Sequence, residues 1–274
     1  MKFSVKISRA FGASPRRPAA AFTMIEIAIC LAIIGFALVA VIGVLPYGMS
    51  AQRDNREETI INQDASMLLE TIRSGSHGAD DLTNYVYAIT NVWTPYDFHG
   101  VPGAAHVNGY TYVNAVLNGT PAPFYALTNG AHIVGILSTP EFTDDAGRPI
   151  SDTFNVNFTS NHVYAYVRSL SGLAAEKPPQ DNSIMVGNTF SYRLLSVNAP
   201  MAVDTNSPLT AFAKQMAANL HELRLTFRWP LLPNGKVADN GSSPQTFRTS
   251  ISGQLIYDTN GLYFYRTQFF TNAP

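Results

Sequence analysis

The stretch FTMIEIAICLAIIGFALVAVIGVL, residues 22–45, decides how this chain is to be read. Within it, residues 27–45 carry no charge. As an α-helix at about 1.5 Å per residue they would span roughly 28 Å, close to the ~30 Å hydrocarbon core of a bilayer. A core helix of a soluble domain would show a polar stripe, and this run shows none. The apolar region of a cleaved secretory signal is shorter, about 7–15 residues, and is followed by small residues at the cut. Here the small residues Ala19, Ala20 and Ala21 come before the run. The stretch therefore reads as a retained membrane helix.

Its flanks orient it. Residues 1–21 hold Lys2, Lys6, Arg9, Arg16 and Arg17 and no acid, a charge of +5, although the whole 274-residue chain sums to −1. The remainder holds thirteen basic and nineteen acidic residues, a net −6. A basic head, an apolar run and an acidic body predict an inner-membrane, single-pass protein. Its N-terminus is expected in the cytoplasm and its C-terminal bulk in the periplasm of a two-membrane cell. Charged residues make up only 14% of the chain, below the ~25% usual for soluble domains. Gly, Pro, Asn, Ser and Thr fill the difference, as in turn-rich β structure. With no basic excess in the body, a nucleic-acid partner is not expected. The single cysteine, Cys30, excludes an internal disulfide framework and a cysteine-based zinc site.

Glu26 is out of place in such a run. An acid at the centre of a membrane helix costs about 2.5–3.5 kcal/mol on insertion scales and less near the end, where it can reach the interface. AFTMIEIAICLAIIGFALVAVIG resembles the N-terminal motif of type IV pilins and type II secretion pseudopilins. The resemblance covers about 30 residues and combines a basic leader, a small residue before Phe-Thr, an acid four positions beyond that Phe and an unbroken apolar helix. It implies removal of the leader by prepilin peptidase between Ala21 and Phe22, and N-methylation of Phe22. Thr23 would become the second residue and Glu26 the fifth, the acid that the family requires for assembly. Two departures are visible. Ala21 stands where the family has Gly, for which slower cleavage is expected, and the leader is longer than the short form. IGVLPYGM (42–49) and LRLTFRWPLLPNG (223–235) are also similar to a verrucomicrobial cassette of long prepilin-motif proteins.

The expected role of Glu26 has a physical basis. A buried amine and a buried carboxylate each favour a partner. Glu26 of one chain could meet the Phe22 amine of a staggered neighbour, fixing the register of helices that otherwise slide on featureless apolar faces. The partners implied are prepilin peptidase, other pilin or pseudopilin subunits, and membrane lipid.

Pro46 and Gly48 follow the span, so a kink or a break at Pro46 is open. Residues 50–73 read as helix again, with Ile61, Ala65, Leu68 and Ile72 on one face, Arg53 four residues from Glu57, and Ser74-Gly75 as the stop. The expected organisation is a leader over 1–21, a membrane helix over 22–45, an amphipathic continuation over 46–75 and a periplasmic β-rich head over 76–274. The fold class is α+β, with the long helix packed on an antiparallel sheet. Period-two patterning predicts strands over 85–93, 110–117, 132–137, 162–170, 189–197 and, most clearly, 223–229. Ser207-Pro208 is expected to open a helix with Leu209, Phe212, Met216 and Leu220 on one side. A terminal hairpin is expected to close at Asn260-Gly261, with further turns at 143–147 and 232–235.

Chemistry-bearing patterns are sparse. Asp97, His99 and His106 lie close in sequence but lack helical metal-ligand spacing, and Asp144, Asp145 and Asp152 lack the calcium-loop pattern. No phosphate loop or Gly-x-Ser-x-Gly elbow occurs. Cys30 lies inside the span, preceded by Ile29 where a lipoprotein would have a small residue, and Pro18-Ala19 after Arg16-Arg17 is not a twin-arginine pattern. No enzyme activity, metal or cofactor is expected. The expectation is a structural pilin-like or pseudopilin subunit, a minor component given its large head. The alternative is an unprocessed, single-pass anchored periplasmic binding or adhesion domain, or a tethered hydrolase whose site no motif betrays.

Overall fold

The computed structural model describes residues 22–75, 80–111, 124–151, 153–171, 190–201, 210–232, 235–238 and 244–270. The chain divides into two compact units, Met1–Asp54 and Asn55–Pro274.

In the first unit the described residues are almost entirely helix α1 (Met24–Arg73), which runs 50 residues and continues into the second unit. Helix geometry persists through Pro46, whose missing N–H removes one backbone donor. In the next turn Ser50 Oγ donates to the Tyr47 carbonyl at 3.0 Å. Every side chain of the apolar run is exposed, and the helix is long and apolar enough to cross a membrane.

The second unit is α+β. After α1 come a 3₁₀ turn (Asp80–Asn84), β1 (Val86–Tyr96), β2 (His106–Thr111), β3 (Phe124–Ala126), α2 (Gly130–Leu137), β4 (Phe142–Thr143) and β5 (Phe158–Arg168). Then follow β6 (Ser191–Pro200), α3 (Thr210–Asn219), β7 (Leu220–Arg228), β8 (Gln245–Ser252), β9 (Gln254–Tyr257) and β10 (Tyr263–Arg266). Among the described residues one sheet is ordered β3-β2-β1-β5-β6-β7-β8, with β4 on β5, and β9 and β10 form a separate ribbon. All pairs are antiparallel except β2 with β3.

β7 shows why these residues make sheet. Leu223, Leu225 and Phe227 are fully buried, while Glu222, Arg224, Thr226 and Arg228 take the other face. Ile61, Ala65, Leu68 and Ile72 of α1 are wholly buried in the same apolar cluster as Val163, Ala165 and Val167 of β5 and Leu194 of β6. At the end of α1, Gly75 takes φ +75 and its N–H donates to the Ile72 carbonyl at 3.2 Å. That is the left-handed stop glycine supplies without a Cβ penalty. Gly253, where β8 hands over to β9, has φ +125, and a Cβ there would stand 2.5 Å from the Arg266 carbonyl oxygen. Only glycine fits this crossing.

Two expectations are corrected. Residues 132–137 are helical, within α2, and not a strand. Asn129 caps the helix by accepting from the His132 N–H at 2.8 Å, and a short apolar run cannot by its period alone be told from a buried helix. On α3 Phe212 and Met216 do share a side, which is the outer one, but Leu220 is not on the helix. Phe212 is 58% exposed and Met216 37%, whereas Ala213 and Ala217 face inward at 5% and 8%. Close approach of the helix to its neighbours selected the small residues, and Leu220 already belongs to β7. Ser207, Pro208 and Leu209 lie outside the described residues, as do 112–117 of the second expected strand.

The remaining turns fall as expected. Around Asp144, Gly147 N–H donates to the Asp144 carbonyl, and Gly235 N–H does the same to Leu232. The terminal hairpin is closed by residues 258–262, a wider loop than a two-residue Asn-Gly turn, because Tyr257 pairs with Tyr263.

Candidate functional site

The residues singled out by the sequence cluster at the start of α1. Ala21 lies outside the described residues, while Phe22 and Thr23 precede the first helical residue. Thr23 is the N-cap. Its carbonyl accepts the first helical bond, from Ile27 N at 3.2 Å. Its Oγ1 accepts from the Glu26 N–H at 3.4 Å, and Glu26 Oε2 accepts in return from Thr23 N and Thr23 Oγ1, both at 2.8 Å. Thr23 and Glu26 therefore form a capping box, in which each residue satisfies a backbone donor the helix start would otherwise strand. The carboxylate also lies at the positive end of the helix dipole, where negative charge is favoured. In lipid an unsatisfied backbone donor costs several kcal/mol, so this closure is more valuable there than in water. Among the described residues both hydrogen bonds of the carboxylate fall on Oε2. The Thr-x-x-Glu spacing is the sequence signal for the box.

Cys30 is an exposed free thiol on the apolar run, and Pro46 lies within the helix sixteen residues farther on.

Another acid of α1, Asp64, lies in the head. Asp64 is fully buried, on the same face as Ile61, Ala65 and Leu68. Its Oδ2 accepts from the Leu170 N–H at 2.9 Å and from the Tyr192 hydroxyl at 3.0 Å. Burial pushes its pKa up from the ordinary aspartate value, and hydrogen bonds from Ser171, Leu170 and Tyr192 oppose that shift. Asp64 falls three residues after Ile61 and four before Leu68, so its place on the inner face was legible from spacing alone.

The loop residues considered for metals have structural work. Asp97 Oδ1 accepts from the N–H groups of His99 and Val101 at 2.9 and 2.8 Å, and His106 stacks on Trp93 with centroids 4.3 Å apart. Asp144 accepts from Ala146 N, Arg148 N and Arg148 Nε. Burial pushes its pKa up, but the bonds from Arg148 and Ala146 and the Arg148 charge together hold it below the ordinary value. Asp152 lies outside the described residues. His221 is buried edge-on to Tyr265, and burial pushes its pKa down to about 4, so it is neutral across the physiological range. Among the described residues no three His, Cys, Asp or Glu side chains converge as a metal site would need.

No protein-family model matches this chain, and no curated protein and no solved structure matches it.

Proposed function

We propose that this chain is a non-enzymatic, pilin-like structural subunit, anchored by α1 and assembled through its N-terminal end into a type IV pilus or a type II secretion pseudopilus. The observation that carries the proposal is the pairing of a membrane-length apolar helix with an acid in its first turn, five residues after a small residue and a basic leader. The amphipathic second half of α1, with its buried face, and an antiparallel-rich sheet are compatible with a pilin-like layout. In this reading prepilin peptidase cuts between Ala21 and Phe22, and Phe22 becomes a methylated amine one residue before the cap. Glu26 then serves twice. Oε2 closes the capping box, and Oε1, which takes no hydrogen bond among the described residues, receives the Phe22 amine of a neighbouring subunit. Such a pair sets axial register between helices whose apolar sides carry none.

Intact-mass measurement of the membrane-extracted protein tests this. Loss of residues 1–21 with one added methyl on Phe22 is expected. A polypeptide that begins at Met1 and still works normally overturns the proposal.

The capping box also favours a second reading, an unprocessed anchored ectodomain, because it gives Thr23 and Glu26 a purely local role. The same mass measurement separates the two.

A further inference from the structure

The outer face of the sheet carries two pairs of facing arginines, and they differ in one respect. On β7 and β8, Arg224 stands directly opposite Arg248. On β6 and β7, Arg193 stands directly opposite Arg228. Like charges directly opposite one another destabilise a sheet, so each pair calls for a counter-charge. The first pair has one built in. Glu222, two residues before Arg224 on the same strand, places Oε1 3.7 Å from Arg248 Nη1 and 4.0 Å from Arg224 Nε, and Glu141 adds a contact to Arg224 at 3.4 Å. The second pair has Thr226 at the position equivalent to Glu222. Among the described residues no acid lies within 4 Å of Arg193 or Arg228.

In place of a carboxylate there is a hollow. Tyr164, Arg193, Leu195, Thr226 and Arg228 line an open depression of about 200 Å³. Drug-sized ligands occupy pockets of roughly 300–1,000 Å³, so this one suits a single projecting group on a larger molecule. The Arg193 guanidinium lies over the Tyr164 ring, 5.3 Å from its centroid. Stacking engages the flat face of a guanidinium, while its N–H donors lie in the plane and fit the two oxygens of a carboxylate.

We propose that the Arg193–Arg228 hollow is a docking site for an acidic peptide, with one Asp or Glu carboxylate of the partner taking the place that Glu222 fills for Arg224 and Arg248. A peptide acid is the occupant favoured because the filled pair shows a side-chain carboxylate already matched to this register. The inference does not depend on filament assembly, and its failure would leave that reading untouched.

The experiment uses the full chain in detergent and fluorescent hexaglutamate as the probe, read by anisotropy. Comparing variants with the parent protein cancels any binding by the basic residues 1–21. Arg193→Gln and Arg228→Gln should each weaken binding at least tenfold, and Arg148→Gln, in a distant turn, should not. Thr226→Glu supplies the missing carboxylate from within the chain and should abolish binding while raising the melting temperature. Arg228→Gln should also raise the melting temperature, by about 1–3 °C, because it removes a facing like charge. Binding unchanged in both arginine variants, or a lower melting temperature in Arg228→Gln, overturns the proposal. Tenfold tighter arginine-dependent binding of hexagalacturonate than of hexaglutamate overturns the peptide occupant in favour of an acidic saccharide.

Discussion

Among the acids of helix α1, Glu26 and Asp64 lie in opposite environments. Glu26, in the first unit, is exposed in the first turn and closes a capping box with Thr23. Asp64, in the second unit, is fully buried and accepts from Leu170 N and Tyr192 Oη. The bonds of Glu26 are local, three residues apart, so its geometry follows from the helix start alone. The partners of Asp64 lie 106 and 128 residues away, so only the folded head supplies them. An acid on an apolar background thus has two distinct explanations, a local one and a tertiary one, and single substitutions can tell them apart.

The largest effect is expected at Glu26. Glu26→Ala should leave membrane insertion intact and abolish incorporation into a filament, measured by co-purification with sheared surface or periplasmic filaments. Normal incorporation would reduce Glu26 to the local capping role it shares with Thr23.

Asp64→Ala comes next. It strands a buried N–H and a buried hydroxyl, at an expected cost of about 2–5 kcal/mol in the urea unfolding of the head. A loss below the range typical of a surface site would remove the tertiary half of the comparison.

Acidity gives a finer test. The folded pKa of Asp64 is raised above its ordinary value of 3.8, burial being the main cause, so the folded state binds more protons than the unfolded state in between. The proton-linked part of the Asp64 contribution to stability is therefore full below about pH 3.8 and is lost as pH rises through the folded pKa, separately from the bonds it accepts from Leu170 and Tyr192. Asp144, held below its ordinary value, contributes with the opposite sign. Asp64→Asn should remove the Asp64 part alone, so the stability difference between parent and variant should change steadily with pH across that window. A difference independent of pH would contradict a raised pKa.

The smallest effect is at Thr23. Thr23→Ala removes one half of the capping box, about 0.5–2 kcal/mol of local helix stability. Amide exchange should quicken over the first turn of α1, while the urea midpoint of the head stays where it was.

Much of the head was legible wherever one side of an element is buried. The alternation of Leu223, Leu225 and Phe227 against Arg224, Thr226 and Arg228 identifies β7, and Ile61, Ala65, Leu68 and Ile72 identify the inner side of the second half of α1. Legibility failed where burial is complete or where small residues make the contact. Residues 133–137 carry no polar side chain, so period could not separate strand from helix, and the deciding Asn129 cap lies outside the run. On α3 the eye follows Phe212 and Met216, but close packing selected Ala213 and Ala217. At the candidate site the acid was legible from its apolar surroundings, whereas its hydrogen-bonded partner needed the Thr-x-x-Glu spacing to be read as a cap.

The amino-acid sequence by itself determined a membrane-length helix, the unusual acid near its start and the inner face of its continuation, because helix period and hydropathy are local properties. The tertiary structure alone decided the strand order β3-β2-β1-β5-β6-β7-β8, the partners of Asp64 and the facing of Arg193 with Arg228. Those depend on which distant segments come to lie side by side, and no local pattern of hydrophobicity or charge encodes that choice.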